Sequence, residues 1–123
     1  MAKIVLDTNF ILACIENKLD FEEEILEKGH VILIPKQVIQ EIERIKNSTK
    51  QIKVRDAAEL ALKILGSVNY KEVEIYGKYV DKGLKKYCSE NPEVILGTMD
   101  KELKKSVSNR KMVIRNRKKL ELQ

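Results

Sequence analysis

The chain has 123 residues, 43% of them hydrophobic and 35% charged, with a formal net charge of +5. That length suits one domain with a real core, the balance argues against a disordered chain, and no stretch approaches the roughly 18 apolar residues of a membrane span. Two cysteines without a CxxC pair and a single histidine do not make a standard zinc site.

Met1-Ala2-Lys3 runs straight into Ile4-Val5-Leu6, an apolar run too short for the core of a signal peptide, so a cytoplasmic location is expected. Residues 3–6 read as a short buried strand. Residues 8–17 read as a helix with Phe10, Ile11, Cys14 and Ile15 on its apolar face. Asp20 is a candidate N-cap for a helix over 21–28, with Glu22, Glu23 and Glu24 in its first turn and Gly29 at its end. Val31 to Ile34 forms the second strand, and Pro35 marks the turn into a helix over 36–47. After a polar break at 48–51, residues 52–65 form another helix, whose apolar Ala57, Leu60, Ala61, Ile64 and Leu65 suit a core or an interface equally.

Val73 and Ile75 alternate with Glu72 and Glu74, which predicts a short edge strand. A helix over 78–90 is stopped by Asn91-Pro92. Then come a strand at 93–96, a helix at 101–108, a strand at Met112-Val113-Ile114 and a basic tail from about 115. Strands alternating with helices imply a mostly parallel α/β sheet of about five strands covered on both faces. With no repeat and no linker, residues 1–123 form a single domain. Cys14 and Cys88 are expected to be buried reduced thiols, and His30 an ordinary structural or surface residue, since no Ser or Cys nucleophile accompanies it.

Four acids fall at ends of these elements: Asp7 after the first strand, Glu41 and Asp81 early in helices, and Asp100 at the start of a helix. In a parallel α/β sheet those positions gather on the carboxyl edge. Four acids brought together repel unless a cation neutralises them, so the economical reading is a divalent-metal site. Each acid alone has an ordinary alternative: Asp7 and Asp100 as helix caps, Asp81 as a helix-dipole partner, Glu41 as a solvated side chain. Hard carboxylate oxygens suit Mg²⁺ or Mn²⁺, one ion or two, and an in-line phosphodiester hydrolysis. Thr8, Asn9 and Thr98 stand beside the acids as supporting groups.

Charge is concentrated late in the chain. From Lys101 to Lys119 there are nine basic residues against one acid, Glu102, which suggests a polyanionic partner beside a default reading as a solvated face and tail. Lys82, Lys101, Lys104, Lys105, Arg115, Arg117 and Lys118 are the candidate phosphate contacts. The abundance of Lys, Glu and Ile is compatible with a thermophilic source.

Leu6-Asp7-Thr8-Asn9-Phe10-Ile11, Pro35 through Glu41-Ile42-Glu43-Arg44-Ile45, Tyr79-Val80-Asp81 and Thr98-Met99-Asp100-Lys101-Glu102-Leu103-Lys104 together resemble the acidic segments of the PIN-domain ribonucleases. The resemblance covers essentially the whole chain. It is most similar to the branch involved in ribosomal RNA processing and small-subunit biogenesis, of which archaea carry short single-domain members. It implies a three-layer α/β/α sandwich and a Mg²⁺- or Mn²⁺-dependent endoribonuclease with Asp7, Glu41, Asp81 and Asp100 as catalytic and metal-binding acids. The implied substrate is structured RNA, a ribosomal precursor above all. A homodimer, a biogenesis partner or an antitoxin are the protein partners in view.

Two positions depart from the family pattern. Lys82 stands where a further acid is frequent, and Met99 where a polar residue often precedes the fourth Asp. They keep two alternatives open: a toxin-type PIN ribonuclease, and a non-catalytic RNA- or protein-binding module with a degenerate site. A phosphatase of the haloacid-dehalogenase type would need an Asp where Asn9 stands, and a Rossmann domain would need a glycine-rich turn after the first strand.

Overall fold

The computed structural model describes residues 1–123. In chain order the elements are β1 Lys3–Leu6, α1 Thr8–Glu16, α2 Phe21–Glu27, β2 Val31–Pro35, α3 Lys36–Ser48, α4 Ile52–Leu65, β3 Lys71–Val73, α5 Val80–Glu90, β4 Ile95–Gly97, α6 Lys101–Ser106, β5 Lys111–Arg115 and β6 Lys119–Leu122. They form one six-stranded sheet in the order β3-β2-β1-β4-β5-β6, parallel except for the β5–β6 pair.

Strands β1 and β2 are apolar throughout their inner residues because both sheet faces are covered, which gives continuous rather than alternating hydrophobic runs. Ile4, Val5, Leu6, Ile32, Leu33 and Ile34 are all buried. Successive strands move outward in opposite directions from the β1/β4 seam. Right-handed crossovers therefore put α1 to α4 on one face and α5 and α6 on the other. The contacts agree: α1, α3 and α4 pack on one another, and α5 packs on α6. The α/β/α layering expected from the sequence holds. The reversal of strand order opens a crevice at the carboxyl ends of β1 and β4, where α/β sheets place their sites.

Several expected elements differ: α5 starts at Val80 rather than at 78, β4 covers Ile95–Gly97 rather than 93–96, and three further departures have visible causes or consequences. The supposed basic tail folds back as β6, antiparallel to β5, through a turn in which Asn116 and Arg117 both have positive φ (54° and 58°) and Lys118 N–H bonds to the Arg115 carbonyl at 3.0 Å. Leu120 is buried against the core, and its N–H bonds to Glu24 on α2 at 3.0 Å, so the strand is anchored. The sheet thus has six strands rather than about five. The edge strand β3 stops at Val73: the backbone of Ile75 goes to the Gln37 side chain instead of to the sheet. Helix α6 ends at Ser106, two residues early. On α4, Ala57, Ala58, Ala61 and Leu65 belong to the core, whereas Ile52 and Leu60 are exposed. Cys14 and Cys88 are free and buried, as expected, and burial pushes the Cys88 thiol up to about 11.

Gly83 sets how closely α5 approaches the loop after β3. A Cβ there would stand 2.7 Å from the Tyr76 carbonyl oxygen and 2.7 Å from Ile75 Cδ1. Alanine in a helix normally gains about 1 kcal/mol over glycine, but overpacking against backbone costs typically ~1–3 kcal/mol, so the clash wins. Gly83→Ala is therefore expected to lower stability in urea or thermal unfolding and to displace the helix that carries Asp81. A gain in stability would show that the loop yields.

Candidate active site

Asp7 is the residue around which the site is built. It follows β1, and its N–H bonds to the Gly97 carbonyl of β4 at 3.0 Å, which ties the two central strand ends together. It occupies the N-cap position of α1, yet its side chain makes no capping hydrogen bond. The carboxylate turns to β4 instead and accepts from the Thr98 hydroxyl (Oγ1 to Oδ2, 2.8 Å). That same Oγ1 accepts from Asp100 N–H at 3.1 Å. A hydroxyl has one proton to donate and lone pairs to accept with, so Thr98 bridges the two acid segments using both capacities.

Asp100 does cap its helix: Oδ1 accepts from Glu102 N–H (2.8 Å) and Leu103 N–H (3.1 Å). The capping alternative is thus realised for Asp100 and not for Asp7. Since both cap bonds fall on Oδ1, the second carboxylate oxygen of Asp100 makes no protein hydrogen bond.

Asp7, Asn9, Glu41, Arg44, Tyr79 and Asp81 line one cleft of about 460 Å³. Asp81 also borders an adjoining hollow with Asp100, Lys82 and Lys85. The four acids are therefore gathered along one edge, with Asp81 between the two recesses. Asp7 is only 3% exposed, Glu41 and Asp100 are half-buried, and Asp81 is exposed. Glu43 faces solvent, as the helical rotation from Glu41 requires.

Electrostatics confirm the crowding. Asp7 is raised from its ordinary 3.8 to about 6, chiefly by burial; the Thr98 hydrogen bond works against this, and the charges of Asp81 and Glu41 add to it. Asp81 is also raised, by desolvation first and then by Asp100 and Glu41. None of the protein's three ion pairs involves these acids.

The donor set fits a hard divalent cation in an open manner. No three Asp, Glu, His or Cys side chains converge closely enough to enclose an ion by themselves. Mg²⁺ is commonly held by one or two carboxylates, with waters and substrate phosphates completing its shell. Beside Asp7, the Thr8 hydroxyl is buried without a hydrogen-bond partner, a polar atom left unsatisfied in this corner.

Several residues here escaped the sequence reading. Gln37 and Arg44 lie four before and three after Glu41 on α3, spacings that share one helix face. Gln37 Nε2 donates to the carbonyls of Ile75 (2.7 Å) and Gly77 (3.1 Å), fixing the loop that leads to Asp81. Lys78 and Tyr79 line the cleft from that loop. His30 borders a separate hollow with Lys28 and β6, away from the acids.

The sequence pattern described as a PIN-like domain matches residues 4–119. Ribonuclease VapC4 of Methanocaldococcus jannaschii is 34% identical over 128 aligned positions, covering 99% of this chain and 97% of that protein. Among solved structures, the PIN domain endonuclease Utp24 matches with a TM-score of 0.78 at 22% identity, over 98% of this chain and 90% of that one. VapBC2 from Rickettsia felis, bound to a DNA fragment from their promoter, matches with a TM-score of 0.55 at 16% identity, over 89% and 98%. At those identities the two structures speak to the fold.

The raised Asp7 carboxyl has a consequence for stability. Its folded pKa lies above the unfolded one, so its contribution is intact below about pH 4 and is lost as pH rises through about 6. The difference corresponds to on the order of 3 kcal/mol. In metal-free protein, Asp7→Asn is expected to raise the melting temperature at pH 7 and to flatten its fall between pH 4 and 7. An unchanged pH profile would show that Asp7 ionises freely.

Proposed function

The chain belongs to the PIN-like domain family, and on that premise we propose that it is a divalent-metal-dependent endoribonuclease hydrolysing RNA phosphodiesters. The observation that carries this reading is a buried, proton-hungry Asp7 facing Glu41 and Asp81 across one cleft with no cation paired to them. A protein gains nothing in stability from such a cluster; a bound cation gives it a purpose.

Asp7, Glu41, Asp81 and Asp100 are the proposed ligands of one or two Mg²⁺ or Mn²⁺ ions. When bound, the ion supplies Lewis acidity and an activated water for in-line attack on the phosphodiester. The chain does the positioning. Thr98 holds one oxygen of Asp7 and leaves the other free. Asn9 supports the cleft wall, and the unpartnered Thr8 hydroxyl offers a further polar contact. Arg44 in the cleft and Lys82 beside Asp81 balance the charge of an incoming phosphate. In that role Lys82 assists the substrate where another acid would bind metal.

The wider RNA surface is proposed to run along the carboxyl edge. Because β5 is parallel to β4, the β5–β6 turn emerges on the same edge as the acids. Gly97 pairs with Met112, and β5 continues three residues further to Arg115, so the hairpin overhangs the edge by ~10 Å. Arg117 and Lys118 at its tip, with Lys101, Lys104 and Lys105 on α6, make no ion pairs. Arg115 is a weaker candidate than its charge suggests: its guanidinium is held by Glu121 at 2.6 and 2.9 Å.

A ribosomal precursor is the RNA this reading favours, from the likeness of the four acidic segments to that branch of the family. A second reading, a toxin-type ribonuclease restrained by an antitoxin, is favoured by the 34% identity to Ribonuclease VapC4. A panel of labelled ribosomal precursor fragments, tRNA and mRNA, incubated with Mn²⁺, Mg²⁺ or EDTA, tests both. Metal-dependent cutting by the wild type, reduced at least a hundredfold in Asp7→Asn or Asp100→Asn, is expected. Cutting of tRNA or mRNA in preference, with growth arrest relieved by a small neighbouring protein, would favour the toxin. RNA binding with no cutting under any metal would leave a binding module.

Neutralising Arg117 and Lys118 is expected to weaken RNA binding and to reduce the slope of log K against log salt by about 0.7 per cation. An unchanged slope would make the hairpin tip a merely solvated turn.

A further inference from the structure

The chain has two phenylalanines, four tyrosines and no tryptophan. Both phenylalanines are buried, and Tyr70 and Tyr87 are half-buried. Tyr76 and Tyr79, at 69% and 62%, are the exposed aromatic rings, and they stand three residues apart in the loop between β3 and α5. Tyr79 lines the same cleft as Asp7, Glu41 and Asp81.

The rings have a firm base. Ile75 beneath them is buried, its N–H bonds to Gln37 Oε1 at 3.3 Å, and Gln37 Nε2 holds the carbonyls of Ile75 and Gly77. Gly77 has φ +72°, which lets the chain reverse between the two tyrosines. Gly83 allows α5 to close against the loop from below. Lysine ammoniums sit over both rings: Lys86 Nζ lies 5.0 Å from the Tyr76 centroid, and Lys78 and Lys82 Nζ lie 5.4 and 5.9 Å from that of Tyr79.

An exposed ring with a solvent-exposed lysine over its face complements one nucleotide, the base taking the ring as the ammonium turns to the phosphate. We propose that Tyr79 and Tyr76 form a stacking platform for unpaired nucleobases at the mouth of the cleft. Paired bases have both faces covered by their neighbours, and only an unstacked base can present a face to a tyrosine. Lys78 and Lys82 then hold the flanking phosphates and leave the scissile one to the cation that the acids would bind. This inference rests on the ribonuclease reading and names the side chains that hold its substrate's bases.

The test uses the full chain carrying Asp7→Asn, with Mg²⁺ present, so that the strand stays intact. Binding of a short unstructured CA-repeat oligoribonucleotide is compared with binding of the same strand in a blunt duplex. The single strand is expected to bind more tightly. Tyr79→Ala should weaken it about tenfold, and the Tyr76→Ala double variant further, with the duplex affinity unchanged. Tyr79→Phe keeps the ring and should keep the affinity. Both tyrosines are exposed, so unchanged melting temperatures are expected and check that the variants fold.

Alanine variants that bind the single strand normally, or that lose single strand and duplex alike, would overturn the platform and leave the nuclease reading standing. A parent protein that binds neither RNA would overturn both.

Discussion

The Thr98 hydroxyl is the contact on which the site's geometry depends. It donates to Asp7 and accepts from the backbone N–H of Asp100, at the point where the carboxyl ends of β1 and β4 lie side by side. Thr98 is fully buried and Asp7 nearly so. In such surroundings an unmet hydrogen bond is costly and a met one is directional. One small side chain therefore ties the Asp7 carboxylate to the backbone of the segment that carries Asp100. The sheet supplies the frame for that contact, since parallel pairing of β1 with β4 brings Leu6 opposite Gly97 and places Asp7 and Thr98 next in line.

Around this contact the charges sort by sign. The acids occupy the crevice at the strand-order reversal, while unpaired cations ring it on α5, α6 and the β5–β6 hairpin. A protein with a net charge of +5 thus carries its most strained negative charge at its centre. Such a layout draws a polyanion toward the surface at long range and repels it at the last few ångströms unless a cation intervenes. On the proposed function, that arrangement would couple substrate and metal, each lowering the electrostatic cost of the other.

The loop from Ile75 to Tyr79 shows how a single helix serves two ends. Gln37, Glu41 and Arg44 share one face of α3. Gln37 anchors the loop, Glu41 faces the acids and Arg44 lines the cleft beside them. The loop in turn starts α5, on which Asp81 sits in the first turn. Asp81 is therefore positioned by a neutral amide on another helix rather than by the strand that precedes it.

The sequence by itself determined the fold class, most element boundaries and which four acids the fold gathers along one edge. These follow from local signals: apolar runs, 3.6-residue periodicity, proline and glycine stops, and an acid at the end of each run. Position at a strand or helix end is enough to predict a shared edge, because parallel topology sends all such ends the same way. Other features depended on contacts remote in sequence. That Asp7 leaves its cap position for Thr98, 91 residues away, is decided by strand pairing. The Asp100 cap, by contrast, is a local contact with N–H groups two and three residues on, and the sequence already offered it. The last strand was hidden because the alternating Leu120 and Leu122 follow a dense basic run, and only the hydrophobic surface under α2 and β5 gives them somewhere to pack. Tyr76 and Tyr79 were invisible as a pair for the same reason: whether a ring is core or surface is settled by what the tertiary structure puts over it, and here it puts only exposed lysine side chains.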